Sequence, residues 1–195
     1  YVGPLMRKYG NMFRAGDSPA AAVDNRVRTI DLRLLSGGTA VHSDMLMWHP
    51  REPTVLAALQ MLNVLFSVPQ LSVRMKEIHE QHIEMVRHWT GFWRERRELL
   101  LDGTFEPSAP MANYPRVGVH RGGHTLIALY DDALATIAPG RGRDTVEIVN
   151  ARLSGRVVLD SEVDRGDYAF ITFDTRGRET GRGQVTLDAG AHVFE

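Results

Sequence analysis

The stretch from Phe13 to Trp48 constrains this chain most. It reads Phe-Arg-Ala-Gly-Asp-Ser-Pro at 13–19, then a helical run, then Thr-Ala-Val-His-Ser-Asp-Met-Leu-Met-Trp-His at 39–49. Both ends share one design, a short apolar segment running into polar residues: Phe13 into Arg14 and Asp17, Val41 into His42 and Asp44. Two parallel strands joined by a helix carry polar groups in this way, at the strands' C-terminal ends. Between them Val23, Val27, Ile30 and Leu34 recur at spacings of four, three and four, which predicts a helix with one apolar face. Ser18 is its expected cap, Pro19 suits its first position, and Ser36-Gly37-Gly38 stops it.

The remaining elements follow from the same reasoning. Residues 1–11 form a basic lead-in, and Asn11–Ala15 reads as a short buried strand. Thr39–Met47 reads as the second strand. A helix over Thr54–Val68 has almost no polar face, which predicts burial on most sides, with Pro69 ending it. A third helix over His79–Leu101 has Ile83, Val86, Trp93 and Leu100 on its apolar side and closes at Asp102-Gly103. Composition shifts after Pro107. A linker-like segment, Ser108–Pro115, leads to short strands at Val117–His120, Thr125–Tyr130, Thr145–Asn150, Arg156–Leu159, Tyr168–Thr172 and Gln184–Phe194. The Gly-rich segments at 121–123 and 181–183 read as turns, and the whole suggests an antiparallel β-sandwich. The expected domains are therefore 1–107 and 108–195.

Composition narrows the partners. The 23 basic and 24 acidic residues leave a net charge of -1, so no field draws the chain to nucleic acid or an anionic membrane. The most apolar run, Val55–Val68, is too short to span a bilayer. The chain has no cysteine, which excludes disulfides and thiolate metal sites and fits the cytoplasm. It opens on Tyr-Val-Gly-Pro, which reads as the middle of a longer polypeptide.

Three segments carry a family resemblance: Tyr9-Gly-Asn-Met-Phe-Arg-Ala-Gly-Asp-Ser-Pro19, Asn25-Arg-Val-Arg-Thr-Ile-Asp-Leu-Arg-Leu34 and Val41-His-Ser-Asp-Met-Leu-Met-Trp48. Together they resemble the C-terminal part of bacterial α-galactosidase-like enzymes of glycoside hydrolase family 36, relatives of family 31. The resemblance covers most of the first hundred residues and, more loosely, the β-rich tail. It implies the C-terminal part of a (β/α)8 barrel followed by an antiparallel β-sandwich, and a retaining α-glycosidase acting on terminal α-linked sugars without a cofactor. Gly16-Asp17 matches the family's small-residue–Asp pair after the seventh strand, so the general acid/base role falls on Asp17. Arg14 stands where the family often has tryptophan. Arg14, His42, Asp44 and Trp48 are the implied substrate-binding residues. The nucleophile's Lys-x-Asp pattern is not suitably placed in the chain, so the resemblance implies a nucleophile upstream of Tyr1, in a missing N-terminal part of the barrel. The isolated chain is then expected to be inactive and to expose apolar surface along the Thr54–Val68 helix; a homo-oligomer is compatible with such surface.

The chemistry needs two carboxyl groups roughly 5–5.5 Å apart, one attacking and one donating a proton. From spacing alone, Asp17 in Gly-Asp-Ser-Pro reads first as a turn or cap residue; it is the resemblance that points to catalysis. His42 and Asp44 alternate along a strand and so are expected to share one face. That face can bind sugar hydroxyls or simply close the strand end. Trp48 can stack on a sugar ring or pack in a core. His42, Asp44 and His49 have the donor chemistry for zinc or iron, but their spacing matches no familiar metal site and no metal is expected. His79, His82 and His88 read as solvated. Two alternatives stay open: a non-catalytic carbohydrate-binding or subunit-interaction module, and a metal-dependent hydrolase.

Overall fold

The computed structural model describes residues 3–138 and 145–195, apart from the side chains of residues 163 and 164. The first two residues of the basic lead-in lie outside this range. The chain divides into two compact units, Tyr1–Asp102 and Gly103–Glu195.

Unit 1 runs α1 (Pro4–Tyr9), β1 (Met12–Arg14), α2 (Ala22–Ser36), β2 (Ala40–Leu46), α3 (Thr54–Leu62), β3 (Val68–Leu71), α4 (Glu80–Glu95) and α5 (Arg97–Asp102). Its strands form one parallel sheet in the order β1-β2-β3. α3 ends at Leu62, well before the expected helix end at Val68; turns occupy 63–67, and β3 begins at Val68. Asn63 terminates α3: its backbone N–H and its Nδ2 both donate to the Leu59 carbonyl, at 3.0 and 2.8 Å. Pro69 is tolerated in β3 because this is an edge strand. Leu46, Trp48, Ala57, Ala58, Met61, Val64, Ile78, Met85 and Val86 make the apolar core.

α2 contributes little to that core. Its buried residues are Asn25, Arg26, Thr29, Ile30 and Ser36, whereas Val23 and Leu34, on the expected apolar face, are exposed. Polar partners make this burial tolerable. Arg26 Nη1 donates to Asn63 Oδ1 at 2.5 Å, and Thr29 Oγ1 returns to the Asn25 carbonyl at 2.9 Å. Arg33 donates to the carbonyls of Phe66, Leu100 and Leu101 at 2.9, 2.6 and 3.0 Å. It thereby caps the C-terminal carbonyls of α5, which a helix cannot satisfy itself. Burial pushes the Arg33 guanidinium down, to about 10, and Asp102 pulls it part of the way back.

Unit 2 contains β4 (Thr104–Pro107), a 3-10 turn (Pro110–Ala112), β5 (Arg116–Arg121), β6 (His124–Leu129), β7 (Ala135–Ile137), β8 (Thr145–Asn150), β9 (Val157–Phe173) and β10 (Glu179–Phe194). One sheet has the order β4-β5-β6-β8 and the other β10-β9-β7. Ile148 packs against apolar side chains of both sheets. β9 and β10 form a ribbon of 17 and 16 residues, of which β7 covers only Leu159–Ser161. Gly181 and Gly183 are not a turn but lie within β10, opposite Thr172 and Phe170. A Cβ at Gly183 would come 3.0 Å from the Phe170 ring, so the ring occupies the space that a side chain would fill. The turn is at 174–177, where Asp174 accepts the N–H groups of Arg176 and Arg178 at 2.8 and 3.0 Å.

Both halves of the expected architecture are corrected. The described residues form no (β/α)8 barrel. Closure needs eight staggered parallel strands, but β/α alternation stops after β3, where α4 is followed directly by α5. The tail is not purely antiparallel either: β6 pairs β8, and β7 pairs β9, in parallel. The chain leaves one sheet for the other between β6 and β8, and such a crossover makes parallel neighbours. The unit boundary lies at Asp102/Gly103 rather than after Pro107, because Thr104–Pro107 pairs with β5. α2 starts at Ala22 without a side-chain cap, so Ser18 is not its N-cap. The third helix is two, meeting at Arg96. Most of 54–68 is buried, with Val55 and Leu56 near its start exposed; exposed apolar side chains also lie at Leu5, Met6, Tyr9, Met12, Val23, Leu34 and Leu35. Among the described residues, no helix is long and apolar enough to cross a membrane.

Two outcomes are expected. Losing a hydrogen bond from a charged donor costs about 1.5–3 kcal/mol, and these three share one side chain, so Arg33→Ala should destabilise unit 1 by about 3 kcal/mol. Urea unfolding followed by tryptophan fluorescence reads this directly, since Trp48, Trp89 and Trp93 all belong to unit 1. The second outcome concerns acid. Burial pushes the Asp174 carboxyl up, but the N–H groups of Arg178 and Arg176 and the Arg176 guanidinium together hold it below 3.8. A carboxyl depressed in the folded chain stabilises the fold above its unfolded value and loses that contribution as pH falls through the folded one. The Arg176 and Arg178 amide signals should therefore stay native-like down to the ordinary aspartate range and move only below it, in an NMR pH titration.

Candidate functional site

The C-terminal end of β1 and the adjoining part of β2 bring four sequence elements together. Parallel pairing sets Arg14 abreast of His42, and Ala15 N–H extends the ladder to the His42 carbonyl at 3.0 Å. The backbone then turns through residues 16–21 to reach α2. In β2 the register shifts by one residue, three steps from His42 to Met45 facing two from Val68 to Gln70. Ser43 and Asp44 are consequently both fully buried, and strict alternation ends there. Ser43 Oγ accepts the Gln70 N–H at 2.9 Å and donates to the Asp44 carbonyl at 2.8 Å, which fixes the bulge.

Asp44 is the centre of the network, with a solvent exposure of 0%. Its Oδ1 accepts the Met45 N–H at 2.8 Å and Arg14 Nη2 at 3.3 Å. Its Oδ2 accepts the Ser18 N–H at 3.1 Å. Its own N–H donates to Asn25 Oδ1 on α2 at 3.1 Å. The other arm of the Arg14 guanidinium, Nη1, donates to Asp17 Oδ1 at 2.6 Å. Asp17 is open, with its side chain 87% exposed, so this arm contributes little to stability. Gly16 lies so close that an added Cβ would fall 2.5 Å from Asp44 Oδ2 and 3.6 Å from Arg28 Nη1. A glycine is required here by close approach rather than by backbone angle.

The sequence-derived candidates thus separate. Arg14, Asp17 and Asp44 come together. His42 is half-buried on β2, beside the bulge that ends its shared parity with Asp44, and its ring makes no hydrogen bond to another described residue. Trp48 is in the apolar core, where its Nε1–H donates to His82 Nδ1 at 3.3 Å. His82, expected in solvent, is 2% exposed, and its Nε2 lies 2.9 Å from the Glu52 carbonyl. His49 Nδ1 accepts the Arg51 N–H within its own turn. Among the described residues no three His, Cys, Asp or Glu side chains converge as a metal site. A groove of about 520 Å³ lined by Pro4, Arg7, Lys8, Leu35 and Thr39 lies at the opposite end of β2 from Asp44.

Asn25 and the Ser18 amide were not singled out by sequence reasoning, and Gly16 entered only as the small residue before Asp17. One signal was present: Asn25, Thr29 and Arg33 recur every four residues and mark a polar stripe along α2. The Asn25 Nδ2 atom is buried without a hydrogen-bond partner among the described residues. Chemically, the arrangement presents one open carboxylate, steadied by a guanidinium that a buried carboxylate anchors. Such a group can exchange a proton or bind hydroxyls.

Comparison with known proteins found no matching family model, no matching curated protein and no matching solved structure.

Gly16→Ala should wedge the network apart, since Asp44 is anchored and the backbone must yield. A loss of about 1–3 kcal/mol is expected, measurable as a lower urea midpoint.

Proposed function

We propose that Arg14 and Asp17 form the proton-donating half of a retaining α-glycosidase centre, acting on terminal α-linked sugars in the manner of α-galactosidases. The observation that carries this reading is the open Asp17 carboxylate, held by a guanidinium that the buried Asp44 anchors in turn. The resemblance of residues 9–48 to α-galactosidase-like enzymes supports it independently. In the first step Asp17 gives its proton to the departing glycosidic oxygen as a nucleophile attacks the anomeric carbon. In the second, the Asp17 carboxylate takes a proton from the water that releases the sugar. Arg14, beside the bond being cleaved, and His42 are suited to sugar hydroxyls. The attacking carboxylate must come within about 5–5.5 Å of Asp17. Asp44 is fully buried and cannot reach a substrate, so this reading does not give it the nucleophile's role.

A second reading, a binding module without catalysis, draws on unit 2. There Phe170, Ile171 and Phe173 of the ribbon are 37%, 51% and 57% exposed. Retention on an immobilised α-galactoside that Phe173→Ala weakens and Asp17→Asn leaves alone would favour it.

The catalytic reading is tested in the natural polypeptide that contains this chain. Asp17→Asn should reduce hydrolysis of nitrophenyl α-galactoside about 10²–10⁴-fold. Added azide should restore turnover and give a glycosyl azide of retained α configuration. Unchanged activity in Asp17→Asn, or no hydrolysis of α-glycosides by the unmodified protein, would sink the proposal.

A further inference from the structure

We infer that Asp44 is the positioning residue of this centre, holding the Asp17 loop and the Arg14 guanidinium in place from beneath. The inference rests on the glycosidase reading for its catalytic consequence, while its structural half stands on contacts alone. Asp44 has the character of a substrate ligand by residue type, but with no exposed surface it meets no sugar. What it meets is the loop. It takes the Ser18 N–H, one residue beyond Asp17, and Arg14 Nη2, three residues before it. Gly16 presses against its Oδ2. The residues at 14, 16 and 18 are thus all referred to one carboxylate, and Asp17 between them is turned outward.

Asp44 is itself fixed from two directions. Asn25 of α2 receives its backbone N–H, and Ser43, hydrogen-bonded to β3 through the Gln70 N–H, locks the bulge that buries it. The anchor therefore ties the loop to a helix and two strands. Two acceptor oxygens are what the loop requires of it, because the Arg14 guanidinium and the Ser18 N–H only donate. An asparagine at 44 fills the same volume, yet it presents one acceptor oxygen and, in place of the other, an NH2 donor. Either the Ser18 N–H or the Arg14 arm is then left without an acceptor.

Misplacing a proton donor by about 1 Å costs roughly a hundredfold where proton donation limits the rate. It costs little where the leaving group needs no proton. Asp44→Asn in the natural polypeptide should therefore lower kcat/KM about 10–100-fold on an alkyl α-galactoside, with a far smaller loss on a dinitrophenyl α-galactoside, the same selectivity expected of Asp17→Asn. A merely structural role would lower both substrates alike, and that outcome, or no loss on either, overturns the inference. The holding itself is read in the 195-residue chain by amide hydrogen exchange. Asp44→Ala, which removes both acceptor oxygens, should speed exchange at the Ser18 amide while leaving the Arg178 amide of unit 2 unchanged. An unaltered Ser18 amide overturns the inference even if Asp17 proves catalytic. Faster Ser18 exchange in a protein without glycosidase activity would keep the anchor and discard the glycosidase reading.

Discussion

A helix that buries its polar side needs partners for the groups it buries, and unit 1 supplies them to Arg26, Thr29, Arg33 and the Asn25 Oδ1, leaving the Asn25 Nδ2 unpaired among the described residues. Burying an amide or hydroxyl without a hydrogen bond costs about 1–3 kcal/mol in proteins, so Asn25, Arg26, Thr29 and Arg33 restrict where everything around α2 can lie. Asn63 must stop α3 where it faces Arg26. The end of α5 must bring two carbonyls to Arg33. β2 must bulge so that the Asp44 N–H reaches Asn25. The apolar core between β2, α3 and α4 supplies the bulk driving force, but it is the polar contacts of α2 that specify register.

Unit 2 meets a different problem. A two-stranded ribbon is marginal in water, and β9–β10 extends well beyond the strand that flanks it. The inner face is anchored where Tyr168, Val185 and Leu187 join the core between the sheets. Farther out, glycines opposite Phe170 and Thr172 let the partner side chains lie across the ribbon, so that part of it covers itself.

The sequence announced some of this and concealed the rest for physical reasons. β2, β8 and α2 lie close to where spacing put them, because their ends carry strong signals such as Ser36-Gly37-Gly38. β3 was hidden because Pro69, which lies inside it, reads as a helix terminator, and the apolar run of 54–68 leaves no mark of where α3 stops. The length of β9 was hidden because Gly166 and Asp167 look like a break, yet lie in the ladder. The buried side of α2 was misread since its apolar residues have the right period and only the polar ones have partners. At the site, residue types placed Arg14, Asp17 and Asp44 in one neighbourhood. They did not reveal that Asp44 is buried, because the bulge that decides it leaves no mark in composition. Trp48 carries a polar handle that also suits a sugar ring and His82 one that reads as solvated, although the two meet inside the core.

That bulge has a consequence for how this segment tolerates change over evolutionary time. A loop absorbs an inserted or deleted residue by adjusting its path. A strand absorbs one by inverting the side to which every later side chain points. β2 already contains one supernumerary residue, and Ser43 and Asp44 are inward together only because of it. Removing a single position would exchange the partners of Arg14 while leaving every chemically important residue type in the segment. The site is thus encoded by a count as well as by identities, and drift in length across β2 is more consequential than drift in sequence at most positions around it.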